Sequence, residues 1–351
     1  MIYYTNIKYH SNCRNGGVDM ALNSNEVISI LRRNGLKQDI YKLIQYSDEI
    51  KEYSLSIGNI LNRSTIIQIL SNLKEENKIP KRTSNSNFIR YMTDILEMFE
   101  EVIIFDEKRG STLTRYVATY TSVSPYEIAL SLLSKSFLSH YSSLYVNDLT
   151  LNNPKDIYIN KEQSKKPEMK KHNISQNRVD YAFSKKMRAT TMIYNFKYHE
   201  EFYRVHVLNS KNTNNTGIIS KKPINFSKKI RVTNLDRTLI DIVVRPKYSG
   251  GVKEILEAYV RAKSNININK IVTYLEKFNY LYPYYKSILF FLDYANYDIA
   301  YSQVIEGEFE SKMNTEVNFY LDYQITNKIL NKKIGVYYPP FLDNFKKSND
   351  D

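Results

Sequence analysis

The segment from Arg231 to Lys263, RVTNLDRTLIDIVVRPKYSGGVKEILEAYVRAK, spells out a strand, two helices and the turns between them. Ile230 to Val232 are apolar enough to close a short strand. Thr233 and Asp236 have the Thr-x-x-Asp spacing of a capping box, which satisfies the first free N–H groups of a helix. Leu239, Ile240, Ile242 and Val243 give that helix an apolar body, as expected for a buried element. Pro246 moves Arg245 out of the helical region and ends the helix. Gly250-Gly251 lets the chain turn. A second helix then carries Val252, Ile255, Leu256, Tyr259 and Val260 on one face.

Charges within so apolar a segment need partners. Arg237 and Asp241 are one turn apart, and Arg245 lies a further four residues on, so the three are expected to form a structural ion pair. The competing reading is an enzyme centred on Asp241 or Asp180. It requires clustered carboxylates, and the sequence does not provide them.

Length and charge narrow the class. The 351 residues accommodate two domains, each with its own core. A net charge of +13 points to a polyanionic partner, nucleic acid before membrane. The longest fully apolar run, Ile288 to Leu292, is too short to span a bilayer, and no segment resembles a secretory signal, so a cytoplasmic location and no membrane partner are expected. One cysteine excludes an intrachain disulfide and a cysteine metal site. His199 and His206, seven apart, would point to opposite faces of one strand. No metal or cofactor is expected. No phosphate-binding glycine loop, metalloprotease motif or nucleophile elbow is present, and Ser139-His140 are neighbours that would not face each other on a helix. The excess positive charge concentrates in residues 155–188 and 204–231, where Lys165, Lys166, Lys170, Lys171, Lys221, Lys222, Lys228 and Lys229 form a candidate second basic surface.

Residues 1–19 read as a translated leader, because Gly16-Gly17-Val18-Asp19-Met20 can be encoded by a ribosome-binding sequence followed by a start codon at Met20. Asn25 then caps a helix with Val27, Ile28, Ile30 and Leu31. A second helix carries Ile40, Leu43 and Ile44, and Leu55 to Leu61 read as an apolar connector. Ser64 caps a third helix, and one of Ser84 to Ser86 caps a fourth with Phe88, Ile89, Met92, Ile95, Leu96 and Phe99 inward. Strands Val102 to Phe105 and Leu113 to Thr119 flank the turn Glu107-Lys108-Arg109-Gly110. Helix, break, helix and basic-tipped hairpin is the order of a winged helix-turn-helix. Its groove-facing side would carry Lys81, Arg82, Asn85, Asn87, Arg90 and Tyr91, while Lys108, Arg109 and Arg115 meet phosphates. The six acidic residues of 80–118 balance the six basic ones, which keeps open a partner-binding adaptor that does not touch DNA. Further on, Ser124-Pro125 opens a helix, Asn267 caps another, and Pro283 starts the next. From Ser302 the pattern alternates toward closing strands, and Asn344 to Asp351 read as a tail.

VTNLDRTLIDIVVRPKYSGGVKEILEAY resembles the signature of the abortive-infection type IV antitoxin family, the AbiEi-like transcriptional regulators. SPYEIALSLLSKSFLSHYSSLYVNDLT with IYINKEQSKK upstream, and INKIVTYLEKFNYLYPYYKSILFFLDYA downstream, resemble further family segments in the same order, so the likeness spans roughly residues 115–300. Asp236 stands where the family usually has Glu, and VNDLT where a His-Gly pair is common. The resemblance implies an α+β chain with an N-terminal winged helix (20–119), a mixed α/β antitoxin domain (120–345) and a tail (346–351). It implies no catalysis. It also implies an antitoxin and autorepressor in phage defence, which binds double-stranded DNA at its own promoter and opposes a nucleotidyltransferase toxin without a stable complex.

Overall fold

The computed structural model describes residues 38–165, 167, 174–313 and 317–348. The expected leader, the Met20 start, the Asn25-capped helix, and Lys166, Lys170 and Lys171 lie outside the described residues. The fold is α+β: helices pack with a nine-stranded mixed sheet and a separate three-stranded one.

The N-terminal part runs α1 (Gln38–Gln45), α2 (Ser47–Ile57), β1 (Ile60–Leu61), α3 (Arg63–Glu75), α4 (Asn85–Arg90), a π-helical turn (Tyr91–Ile95), β2 (Phe99–Asp106) and β3 (Ser111–Ala118). The expected connector Leu55 to Leu61 is instead the end of α2 and strand β1. Helix α2 buries only Ile50 and Ser54 and so has no apolar periodicity to read. Asn62, not Ser64, caps α3: its side chain accepts from the Thr65 amide at 2.9 Å, and Ser64 donates to it. Ser84 caps α4 through the Asn87 amide. The π turn rotates the chain, which carries Ile95 off the inner face and brings Met98 in.

The rest of the chain continues with α5 (Pro125–Leu130), opened by a capping box of Ser124 and Glu127, then β4 (Phe137–Leu138), α6 (His140–Val146), β5 (Asp156–Glu162) and α7 (Gln176–Ser184). Strands β6 (Ile193–Tyr198), β7 (Glu201–Ser210), β8 (Ile218–Lys221) and β9 (Ile230–Thr233) lead to α8 (Leu235–Val244). A short 3-10 turn precedes α9 (Val252–Ala262), α10 (Ile268–Phe278), α11 (Tyr284–Tyr294) and α12 (Ile299–Met313). Strands β10 (Phe319–Tyr320), β11 (Ile329–Asn331) and β12 (Val336–Tyr338) and helix α13 (Leu342–Ser348) close the chain.

The order of the large sheet is β1-β3-β2-β6-β7-β5-β4-β9-β8. Strand β2 pairs with its hairpin partner β3 and also with β6, where Ile104 opposes Phe196 and Phe105 opposes Asn195. The sheet therefore runs across the boundary expected near Tyr120. Val102, Ile104 and Val117 share one core with Val123, Ile128, Phe196 and Val232.

Several local expectations are corrected. Asn234 caps α8 by accepting from the Arg237 amide at 2.9 Å, because Thr233 is still paired within β9 and its hydroxyl bonds Ser143 and Thr238. Asp236 instead accepts from the Asn267 amide. In α9, Val260 is exposed and Ala258 and Ala262 lie inside. Residues 302–313 continue helix α12, which buries Ile305 and Phe309, and the expected closing strands follow as β10 and β12. The expected tail is largely α13, fixed by buried Leu342, by Asp343 accepting from Tyr294, and by Lys346 paired with Asp293. Asn267 caps α10 as expected, and Ile288 to Leu292 are buried on every side.

Candidate nucleic-acid interface

The hairpin tip carries two exposed cations, Lys108 and Arg109. Asp106 accepts from the amides of Lys108 (3.0 Å) and Arg109 (3.1 Å), and Gly110 takes the positive φ of 63° that closes the turn. Glu107 leans away: its carboxylate accepts from Asn195 at 2.8 Å and Arg204 at 3.2 Å, which hold its pKa below the usual range. That ties the tip to β6 and β7 and leaves Lys108 and Arg109 outward. Lys81, Arg82, Asn85 and Arg90 are exposed on α4 and the loop before it, and Asn87 is half-buried. Lys81, Arg82, Arg90 and Lys108 form no ion pair among the described residues.

Two expected members drop out. Tyr91 is 1% exposed, because the π turn points it into the core below Arg90. Arg115 turns back toward α5, donating to Ser131 and to the Thr114 carbonyl. Of the second basic surface, Lys165, Lys222, Lys228 and Lys229 are exposed, with Lys228 donating to the Gly58 carbonyl at 3.1 Å, and Lys221 is half-buried and donates to the Val146 carbonyl at 2.7 Å.

The charges of α8 form a buried cluster. Arg237, 2% exposed, donates from Nε to Asp241 at 3.3 Å, and from Nη1 to Glu162 at 3.2 Å, Thr213 and the Thr216 carbonyl. Its guanidinium lies over the Phe137 and Phe278 rings. Arg245 does not join: Glu162, 75 residues away in sequence, is the second carboxylate, and no local pattern announces it. Burial opposes the Arg237 charge, but Asp241 and Glu162 outweigh burial and raise its pKa. Burial raises Asp241 despite Arg237, whereas bonds from Thr213, Asn215 and Arg237 overcome burial and lower Glu162. Asp180 is occupied as well, accepting from Gln176 and Tyr320. Among the described residues no group of three or more His, Cys, Asp or Glu is placed to hold a metal ion. His199 sits in the β6–β7 turn at φ 47°, not in one strand with His206.

Ser139 and His140 do meet, contrary to expectation, because Ser139 precedes the helix. Its hydroxyl lies 2.8 Å from His140 Nδ1. Burial, with the charges of Arg245 and Arg237, pushes the His140 pKa down to about 3. A histidine depressed in this way contributes stability that is present above its unfolded value, ~6.5, and is lost as pH falls toward the folded one. Denaturation midpoints should therefore drop on acidification below about pH 6, with a slope approaching roughly 1.4 kcal/mol per pH unit. His140→Asn, whose side chain suits the left-handed φ of 52°, should flatten that slope. An unchanged slope would place the acid sensitivity elsewhere.

No protein-family model and no curated protein matches the chain. The crystal structure of the RV2827C protein from Mycobacterium tuberculosis aligns with it at a TM-score of 0.50 and 10% identity, over 93% of this chain and 94% of that one. At that identity the likeness concerns the fold alone.

Proposed function

We propose that the chain is a DNA-binding transcriptional autorepressor that also acts as the antitoxin of a type IV abortive-infection operon, opposing a nucleotidyltransferase toxin. The observation that carries the DNA reading is the order α2, β1, α3, α4, β2, β3, with β1 paired to β3. We read that order as a winged helix-turn-helix, with α4 as its recognition helix and the β2–β3 turn as its wing. Lys81, Arg82, Arg90 and Lys108, which form no ion pair among the described residues, lie on the loop before α4, on α4 and on the β2–β3 turn, where groove and backbone would be met. The antitoxin role rests on the family resemblance of residues 115–300. It assigns the α/β part no catalysis and no tight toxin complex. Asp94, Glu97, Glu100 and Glu101 beside the cations support a second reading, a partner-binding adaptor without DNA contact.

Gel shifts on the DNA upstream of the gene test the reading. Arg90→Ala should cost about 1–3 kcal/mol and relax specificity at one position. Lys108→Ala should weaken all sequences alike and reduce the salt slope by about 1. Unchanged affinity in both variants rejects this interface. Co-expression with the adjacent gene, read by growth and pull-down, tests protection without capture.

A further inference from the structure

A cleft of about 420 Å³ opens at the seam where α2, β1 and α3 meet β3, α5 and the chain entering β9. Its lining combines the charged Arg115, Lys228 and Glu127 with the apolar Ile57, Ile60 and Leu130. The volume is within the range of small-molecule sites.

The charges do not cancel across it. Glu127 accepts from the Ser124, Ser227 and Lys228 amides and from the Ser227 hydroxyl, at 2.6 to 3.2 Å, so fixed neutral donors hold its charge. Arg115 forms no ion pair among the described residues and bonds only neutral oxygens of Ser131 and Thr114. Burial lowers its pKa with nothing to offset it. Among the described residues the Lys228 ammonium reaches only the Gly58 carbonyl, where a Cβ on Gly58 would collide with it. Of the five N–H groups of the guanidinium and three of the ammonium, three and one are used, which leaves two on each.

We propose that this cleft binds a phosphomonoester carried on an apolar or aromatic body, such as a nucleoside monophosphate. The four free N–H donors suit the three terminal oxygens of a phosphomonoester better than the two of a carboxylate. The phosphate sits between Arg115 and Lys228, and the body lies against Ile57, Ile60 and Leu130. This inference is independent of the DNA reading.

The test uses the full chain with adenosine monophosphate, inorganic phosphate and adenosine as probes, read by thermal shift and isothermal calorimetry against chloride at equal ionic strength. Adenosine monophosphate should bind saturably in the millimolar range or tighter, inorganic phosphate more weakly, and adenosine without saturation. Arg115→Gln and Lys228→Gln should each weaken binding about tenfold or more. Ile57→Trp, which narrows the apolar lining at a partly exposed position, should exclude adenosine monophosphate while sparing inorganic phosphate. Absence of saturable binding by both phosphates overturns the proposal. So does equal binding by wild type, Lys228→Gln and Ile57→Trp, which keeps the test open should Arg115→Gln not fold.

Discussion

A fragment beginning at Thr121 should fail to fold. From sequence alone this segment reads as an independent domain, since its helices and turns supply ample apolar residues. The structure places Val102, Ile104 and Val117, each at most 1% exposed, in the same core as Val123, Ile128, Phe196 and Val205. Truncating one such side chain costs roughly 2–5 kcal/mol. Losing three approaches or exceeds the 5–15 kcal/mol that holds a typical domain together. Removal of β2 also strips the ladder from β6, which leaves an open edge beside apolar surface. Circular dichroism melts and amide NMR dispersion of the fragment are the measurements. A cooperative melt with native-like dispersion would mean that the hairpin only leans on the sheet, and that the two parts are separable modules.

Arg237→Ala is expected to be the most damaging single substitution, lowering stability by about 3–5 kcal/mol near neutral pH. It leaves Asp241 and Glu162 as buried carboxylates without their shared cation, and removes the guanidinium from between the Phe137 and Phe278 rings. Asp241→Asn should cost less. Burial already raises the Asp241 pKa, and Arg237 keeps Glu162 as its counter-charge.

The pH dependence follows from the directions of the shifts. In the wild type the depressed Glu162 contributes stability above its unfolded pKa, ~4.3, that is lost as pH falls through the lower folded value. The raised Asp241 has the opposite sign: its cost is present above its folded pKa and is relieved by acid. Without Arg237, both carboxylates should take the raised pattern. The deficit of Arg237→Ala should then shrink as pH falls toward about 4–5. Urea melts of both variants and wild type across that range decide it. A deficit that stays constant with pH would mean that packing against the rings, not charge, explains the loss.

The sequence by itself determined the elements whose cause is local. The strand, turn and helix order of residues 230–263, the Asn267 cap, a serine cap within residues 84–86, the helix opened by Ser124-Pro125 and the hairpin around Gly110 all depend on residues within one or two turns of each other. Apolar periodicity and capping chemistry act over that range. The pairing of Arg237 with Asp241 was legible for the same reason, since the two are one helical turn apart. The tertiary structure decided whatever depends on residues distant in the chain. Glu162 replaces Arg245 in the buried cluster because β5 passes beside α8. Thr233 yields the cap to Asn234 because β9 still holds its backbone and α6 takes its hydroxyl. Helices α2 and α12 bury too few residues to show a periodic stripe, so packing rather than pattern fixes them. Arg115 and Tyr91, read as exposed from their neighbours in sequence, are turned inward by α5 and by a π turn. Burial is a property of what lies across the core, and no window of consecutive residues contains it.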